Sequence, residues 1–245
     1  DFIEHFEQID VSPLVIKPKS SAGSRGLVYI NNRDELLDIL TKEYIERYGF
    51  PLIQERIPSG GRPVGSSFLY CNGQEVLGFC HQRIREYPPS GGPSTLAVSI
   101  YDEQALNTGK RLLDSLNWNG LAMVEFKEDP RTSELVLMEI NPRMWGTIGL
   151  AIFSGADFTD AIVKVFIENV DPNDVDKEYK AGCYFRWVFP GDIMSIMVSK
   201  NLTAGQKFRE LFRRYDNVTY QIMEKGDVKP ILSTFLYSLA RKKII

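Results

Sequence analysis

The chain has 245 residues, of which 43% are hydrophobic and 25% charged, and its formal net charge is −3. This is the composition of an ordinary soluble globular protein. Basic residues are spread along the chain without a stripe, which argues against a nucleic-acid surface. No run approaches the ~20 apolar residues that span a bilayer, and three widely spaced cysteines fit neither a disulfide framework nor a zinc site. We therefore expect a cytoplasmic protein without a membrane span.

The first quarter of the chain predicts a small group of strands with one long helix. Three short apolar runs predict strands, at 14–18, 27–30 and 51–57. The apolar spacing of residues 32–49 predicts a single helix with Asn32 as its N-cap, and residues 2–9 predict a shorter one. Between the first two strands, "SSAGSRG" (20–26) predicts a loop of small residues and glycines.

The rest of the chain mixes hairpins with helices. Two hairpins are predicted, one from 66–71 and 75–86 and the other from 120–127 and 135–141. Residues 87–95 are rich in Gly and Pro and predict a loop. Helices are predicted at 102–118 and through most of 144–170, followed by a strand within 182–189 and at least two further helices. Hairpins in place of βαβ crossovers indicate an α+β fold with mainly antiparallel sheets.

Polar side chains stand at every second position where the last hairpin strand ends. Because successive side chains of a strand point to opposite faces, one face is predicted to carry Leu135, Leu137, Glu139, Asn141 and Arg143. This face changes from apolar to polar partway along, as expected of a strand that passes from a core into a site. The proline at 142 disfavours helix at the preceding residue and keeps it extended.

The partner strand carries a second carboxylate, Glu125. If the hairpin turns near Thr132, Glu125 lies opposite Glu139, and like charges directly across a ladder are destabilising. A divalent cation removes this conflict, and two carboxylates with the amide of Asn141 are hard oxygen ligands suited to Mg²⁺. Arg143 can then clamp a phosphate. A surface hairpin with two solvated acids is the alternative interpretation.

Lys17 stands at the end of the first predicted strand, directly before the 20–26 loop. Such loops present backbone N–H groups to anions. The loop is not a Walker A motif, because it lacks GK[ST] and a strand follows it, and a mobile surface hairpin is the alternative. "PLIQERIPSGG" places Gln54 and Glu55 at another strand end, where an extended hinge leaves backbone groups free to pair with an adenine edge.

In this order, "PLVIKP", "SSAGSRG", "LIQERIPSGG", "GLAMVEF" and "MEINPRMWGTIGLAIFSGADF" resemble segments of the ATP-grasp superfamily. The resemblance is strongest to carbamoyl-phosphate synthetase large-subunit-like and carboxylate–amine ligase members, and it covers roughly residues 12–160. It implies an α+β ATP-grasp fold, in which two α+β subdomains grip ATP between antiparallel sheets. The family's N-terminal α/β domain, with its second phosphate-binding lysine, is expected to be missing from this chain.

The resemblance implies three segments: an ATP-grasp lid subdomain at 1–57, a catalytic subdomain at 58–170, and a C-terminal strand and helical extension at 171–245. Expected partners are small-molecule carboxylate and amine substrates, and the missing domain from the same parent protein or from a split subunit. A homodimer is also possible. No nucleic acid is expected to bind.

The resemblance also implies which residues bind the cofactors, ATP and one or two Mg²⁺ ions. Lys17 would contact the phosphates, under a closing loop that includes Ser20, Ser21, Gly23, Ser24 and Gly26. The adenine would be held by Gln54, Glu55 and the backbone near Ile57. The metal ligands would be Glu125, Glu139 and Asn141.

Three arginines are implied as catalytic residues. Arg143 would face the transferred phosphoryl and acyl groups, and Arg83 and Arg85 would lie on the substrate side. An acidic ribose contact that many relatives have after the hinge is replaced here by the region of Arg62. The sequence therefore does not identify the ribose-binding residue.

The expected function is that of an ATP- and Mg²⁺-dependent ligase, which activates a carboxylate as an acyl-phosphate for attack by an amine. One alternative is a carbamoyl-phosphate-synthetase-like or carboxylase-type enzyme that acts on bicarbonate, which a small basic pocket around Arg83 and Arg85 would favour. The other is a nucleotide-binding module without catalysis. The sequence does not identify the acid or the amine.

Overall fold

The computed structural model describes residues 13–19, 26–89, 91–222, 226–227 and 229–240. These divide into two compact units, Asp1–Ser59 and Gly60–Ile245. The predicted helix at 2–9 and the predicted loop residues Ser20, Ser21, Gly23 and Ser24 lie outside the described residues. Within the described ranges, no helix is both long and apolar enough to cross a membrane.

The first unit contains a three-stranded antiparallel sheet in the order β2-β1-β3. Its elements are β1 (Leu14–Lys17), β2 (Val28–Ile30), α1 (Arg33–Ile39), α2 (Lys42–Tyr48) and β3 (Leu52–Glu55). Asn32 caps α1 as predicted, but the single helix predicted over 32–49 is wrong. The hydroxyl of Thr41 accepts the backbone N–H of Tyr44 and starts a second helix there, because a capping residue takes a non-helical backbone conformation.

The two helices cover one face of this sheet. Leu14, Ile16, Ile30 and Leu36 form its buried core with Tyr44. The tyrosine hydroxyl donates to the carbonyl oxygen of Gly26 at 2.8 Å. The C-terminal end of the 20–26 segment is therefore attached to α2.

The second unit is built on a seven-stranded sheet in the order β10-β9-β6-β5-β4-β7-β8. Its strands are β4 (Pro63–Cys71), β5 (Gln74–Glu86), β6 (Ser94–Ser99), β7 (Gly120–Glu128), β8 (Leu135–Asn141), β9 (Tyr184–Arg186) and β10 (Val218–Tyr220). All neighbours are antiparallel except β9 and β10. Both predicted hairpins and the strand in 182–189 are confirmed, whereas β6 and β10 were not predicted. The predicted loop over 87–95 is wrong at its end, because residues 94 and 95 belong to β6.

Helices pack on both faces of this sheet. The helices of this unit are α3 (Glu103–Ser115), α4 (Ile148–Ser154), α5 (Phe158–Phe166), α6 (Ile193–Val198), α7 (Ala204–Leu211) and α8 (Lys229–Ala240). Of these, α3, α4 and α5 pack against the strands. On one face, α3 buries Leu113 against Phe68 and Val124. On the other, residues of α4 and α5 such as Leu150 and Phe158 pack in the core of the opposite face.

Gly109 lets α3 approach the sheet closely. A Cβ atom at this position would lie 2.6 Å from Oγ of Ser66 and 2.7 Å from a ring carbon of Phe68. The missing side chain thus sets the distance between the helix and β4 and offsets the usual cost of a helical glycine. The α3 face of β4 is fixed in this way.

The segment 171–245 supplies β9 and β10 to the same sheet and is joined to β5 by a buried ion network. Asp192 is fully buried. Its carboxylate accepts two hydrogen bonds from Arg85, at 2.7 and 2.9 Å, and one from Arg186, at 2.7 Å. Arg85 also donates to Glu210 at 2.8 Å. Burial alone would lower the pKa of Arg85, but the hydrogen bonds and charge of Asp192 outweigh it and raise this pKa.

We expect the substitution Asp192→Asn to lower the free energy of unfolding by about 3–5 kcal/mol, the cost of removing one partner from a buried ion pair. The reason is that two guanidinium groups would lose their shared counter-charge inside the protein. Urea unfolding followed by circular dichroism measures the change.

The matched control is Asp160→Asn, which breaks an ion pair with Lys164 of 2.8 Å whose side chains are 51% and 42% exposed. An exposed pair contributes much less to stability than a buried one. Equal losses of stability in the two variants would contradict the role given to Asp192.

Candidate active site

Four strands of the larger sheet contribute one row of residues. His81 of β5 pairs with Gly65 of β4, Gly65 with Glu125 of β7, and Glu125 with Glu139 of β8. Residues paired directly across a sheet lie on the same face. The predicted register, with Glu125 opposite Glu139, is therefore confirmed.

The adjacent row on the same face carries apolar side chains on β5 and β7. Phe79 and Met123 both pair with Ser67, and Met123 pairs with Asn141. Phe79 and Met123 belong to the core under α4 and α5. This face of the sheet therefore changes from packed core to polar side chains within one row.

A β-bulge interrupts the β7–β8 pairing beside the two glutamates. Glu125 pairs with Glu139, but the next pair skips Met138. The predicted common face of Leu135, Leu137 and Glu139 is wrong, because Leu135 packs against the core on the α3 side and Leu137 is 42% exposed. The extra residue of a bulge shifts the alternation of side chains, so residues before the bulge do not share a face with Glu139.

The amide of Asn141 joins the two carboxylates. Its Nδ2 donates to Oε1 of Glu139 at 2.9 Å and to Oε1 of Glu125 at 3.2 Å. Its Oδ1 accepts from Nη2 of Arg143 at 2.9 Å, and Arg83 donates to Oε2 of Glu125. These five residues form one hydrogen-bonded group, which we call the carboxylate cluster.

The carboxylate cluster holds two carboxylates close together, so a nearby positive charge stabilises their ionised forms. The side chain of Glu125 is only 15% exposed. Burial raises the pKa of Glu125 and the charge of Glu139 adds to this, while Arg83 opposes it. Burial also raises the pKa of Glu86, whose Oε2 lies 3.9 Å from Nη1 of Arg83. One guanidinium thus lies near two partly buried carboxylates.

The donor chemistry of the cluster fits a magnesium ion. In the part of the chain that the structure describes, no group of three His, Cys, Asp or Glu side chains is placed to hold a metal. The predicted set instead combines two paired carboxylates with an amide, all hard oxygen donors. Asn141 would bind through its Oδ1, the atom that here accepts from Arg143.

The structure separates the two arginines predicted on the substrate side. The β5–β6 pairing shifts register between Arg83 and Arg85. Arg83 belongs to the carboxylate cluster, whereas the guanidinium of Arg85 contacts Asp192 and Glu210. Arg85 is therefore not brought together with Arg83 in this structure.

His81 lies at the buried end of the polar row, at 1% exposure. A Cβ at Gly65 would lie 2.6 Å from Cε1 of His81, so the ring lies against the bare backbone of β4. Its Nε2 is 3.3 Å from Oγ1 of Thr147. Burial lowers the pKa of His81 to about 3, with a further contribution from the positive charge of Arg83, and the imidazole is neutral at physiological pH.

The predicted nucleotide residues of the first unit lie on different faces of its sheet. Lys17 pairs with residue 52 and Gln54 with residue 15, so alternation places Lys17 and Gln54 on one face. Glu55 pairs with residue 14 and points to the opposite face. Ile57 is 6% exposed. Lys17 and Gln54 are thus brought to a common face, and Glu55 is not.

Comparison with known proteins decides the fold. A profile of the family described as "ATP-grasp in the biosynthetic pathway with Ter operon" matches residues 72–187. The biotin carboxylase domain of the Hydrogenobacter thermophilus 2-oxoglutarate carboxylase has a TM-score of 0.58 at 14% identity, covering 74% of this chain and 42% of that one. The chain has the ATP-grasp fold. The superfamily resemblance and the α+β architecture predicted from the sequence are confirmed.

Two further similar proteins place this ATP-grasp chain among longer relatives. Biotin carboxylase from Campylobacter jejuni has a TM-score of 0.55 at 15% identity, over 71% of this chain and 41% of that one. Acetyl-CoA carboxylase 2 of Arabidopsis thaliana is 26% identical over 138 residues, which are 54% of this chain and 6% of that protein. The chain therefore spans well under half the length of each of these relatives.

Sequence reasoning missed two residues that adjoin the carboxylate cluster of this ATP-grasp chain. Glu86 lies beside Arg83 because of the register shifts at the end of β5. Thr147 reaches His81 from the turn before α4. The "RIRE" charge pattern of residues 83–86 was a signal for Glu86, but the sequence contained no comparable signal for Thr147.

Because His81 of the ATP-grasp core titrates near pH 3 when folded and near pH 6.5 when unfolded, the unfolded state binds more protons between these values. The contribution of neutral His81 to the free energy of unfolding is therefore fully present above pH 6.5 and is lost as the pH falls toward 3. Lowering the pH from 7 to 5 should decrease the free energy of unfolding of the wild type, and this decrease should be about 2 kcal/mol smaller in His81→Gln. Urea unfolding at both pH values measures the difference.

Thr147→Val is the control, since it removes the hydroxyl beside His81 and keeps the imidazole. This variant should retain the pH dependence of the wild type. If the stability of His81→Gln kept the pH dependence of the wild type, the inference that the buried imidazole of His81 is neutral would be wrong.

Proposed function

We propose that this chain is the catalytic part of an ATP- and Mg²⁺-dependent ligase that joins a carboxylate to an amine. The observation that carries the proposal is the pairing of Glu125 with Glu139, with Asn141 and Arg143 in the same hydrogen-bonded cluster. Two similar structures support it, since the Hydrogenobacter domain was solved with MgADP and bicarbonate and the Campylobacter enzyme as a β,γ-ATP complex. A cytoplasmic location belongs to the same proposal.

The proposed roles follow from the charges of the cluster. Glu125, Glu139 and Asn141 would hold Mg²⁺, which when bound neutralises the phosphate oxygens of ATP and orients them. In the first unit, taken by itself, Lys17 and Gln54 are the proposed nucleotide-binding residues. Arg143 is exposed and is hydrogen-bonded to Asn141, so its guanidinium is placed to meet negative charge near the metal ligands.

The reaction would proceed in two transfers. A carboxylate oxygen of the acid attacks the γ-phosphorus, the bond to the β-phosphate oxygen breaks, and ADP leaves. The amine nitrogen then attacks the acyl carbon of the acyl-phosphate, releases phosphate and loses a proton. Arg143 would stabilise negative charge in these transfers as a positioned donor, and Arg83 would bind the acid once Glu125 is neutralised by the metal.

A second candidate acts on bicarbonate, and the carboxylase relatives favour it. The sequence-based case for this candidate relied on a small basic pocket formed by Arg83 with Arg85. The engagement of Arg85 by Asp192 and Glu210 leaves that pocket with Arg83 alone. The ligase is therefore preferred, and a nucleotide-binding module without catalysis is the remaining alternative.

The metal site has a direct test by calorimetry of ATP binding in Mg²⁺ and in EDTA. We expect wild type to bind ATP more tightly in Mg²⁺, and Glu139→Ala to reduce that difference by more than about tenfold, a size typical of damage to metal sites. Glu134→Ala is the control, because this exposed glutamate lies in the turn of the same hairpin. Equal Mg²⁺ effects in wild type and Glu139→Ala would rule out the metal site.

The chemistry is tested with the full-length protein, ATP, a panel of acids and hydroxylamine, which intercepts an acyl-phosphate as a hydroxamate. We expect acid-dependent ADP release with trapped hydroxamate, and Arg143→Ala should lower its rate by about 10²–10³, the effect of removing one oxyanion donor. Arg131→Ala, in the turn of the same hairpin, is the matched control. ADP release with bicarbonate alone would favour the carboxylase candidate, and none with any acid would favour the binding module.

A further inference from the structure

The C-terminal segment exposes an aromatic pair on α7. Phe208 and Phe212 are 67% and 70% exposed, and their ring centroids lie 4.8 Å apart. They stand one helical turn apart, so they lie on one side of the helix. Two large apolar rings held together in solvent are unusual on a protein surface and mark an interaction site.

Arginine side chains flank this aromatic pair. Arg209 follows Phe208 in α7, Arg213 follows Phe212 just beyond the end of the helix, and all four side chains are exposed. We call these four residues the aromatic–arginine face. The helix's acid, Glu210, accepts from Arg85 at 2.8 Å and from Arg213 at 3.0 Å, and its side chain is only 17% exposed. Glu210 therefore offsets part of the positive charge of this face.

The local charge of this segment opposes that of the whole chain. Residues 197–214 contain five basic residues and one acidic residue, although the chain as a whole carries a net charge of −3. The apolar surface continues onto the end of α6, where Met197 and Val198 are 54% and 43% exposed. Lys207 joins the two helices by donating to the carbonyl of Met197 at 2.7 Å.

We propose that the aromatic–arginine face docks on the surface of an anionic lipid bilayer. Two copies of the face would oppose arginine with arginine, which disfavours self-pairing. A planar anionic surface accepts the rings at the headgroup boundary and the guanidinium groups at lipid phosphates in one orientation.

A second exposed apolar pair in the chain lacks this complementarity. Phe166 and Ile167, at the end of α5, are 45% and 69% exposed. They are followed by the acidic residues Glu168 and Asp171, which an anionic surface repels. This pair provides an apolar control with opposite local charge.

The proposal is tested by co-sedimentation of the full-length protein with vesicles, without nucleotide, so that the result is independent of the proposed ligase activity. The vesicles are pure phosphatidylcholine or equal parts phosphatidylcholine and phosphatidylglycerol. We expect binding to the anionic vesicles alone, which weakens as salt is raised because screening shortens the range of charge interactions. The double variant Phe208→Ser with Phe212→Ser should bind at least roughly tenfold more weakly, and Arg209→Glu should also weaken binding.

The control double variant, Phe166→Ser with Ile167→Ser, should bind like wild type, and circular dichroism verifies that each variant is folded. Absence of binding to anionic vesicles, or equal binding to both vesicle types, would overturn the proposal. Concentration-dependent self-association that is lost in the Phe208→Ser, Phe212→Ser variant would overturn it in favour of a second copy as the occupant.

Discussion

The cross-strand register of β5, β4, β7 and β8 is the constraint on which the site depends. It aligns His81, Glu125 and Glu139 through Gly65, although these residues are far apart in sequence. A slip of one residue in any of these pairings would turn the carboxylates to the α3 side. Cores on both faces of the sheet prevent that slip, because every apolar side chain of the inner strands would also lose its packing.

Packing on one side of the sheet and electrostatics on the other are therefore linked. The close approach of α3 at Gly109 fixes the strands whose opposite face holds Glu125 and Glu139. Like charges across a ladder destabilise a sheet, and the packed cores hold them together despite this cost. In this structure, Arg83 and Asn141 donate hydrogen bonds to the two carboxylates. The paired acids are therefore held in a fixed geometry.

The sequence allowed much of this to be predicted, and the misses have local physical causes. Hairpin periodicity and the turn position were enough to place Glu125 opposite Glu139. The bulge at Met138 and the register shifts near Arg85 were not predictable, because a bulge leaves the residue pattern intact and depends on packing around the strand. Strand β6 was missed because the Gly- and Pro-rich segment between it and its partner β5 does not form a short hairpin turn. Strand β10 was missed because it is short and its partner β9 lies well before it in the sequence. The hydroxyl of Thr41, which divides the helix predicted over 32–49, was a capping signal that apolar periodicity outweighed.

The network around Asp192 also bears on the order in which the chain acquires its structure. Arg85 and Asp192 are separated by 107 residues, and Arg85 and Glu210 by 125, whereas β4, β5, β7 and β8 are joined by much shorter connections. During synthesis, the hairpins can pair long before Asp192 leaves the ribosome, and Arg85 then stands at the end of β5 without its counter-charges. Contacts of such large sequence separation form late, because closing a long loop precedes the energy gained from it. The nascent sheet therefore exposes its β6 edge until the last third of the chain arrives to cover it.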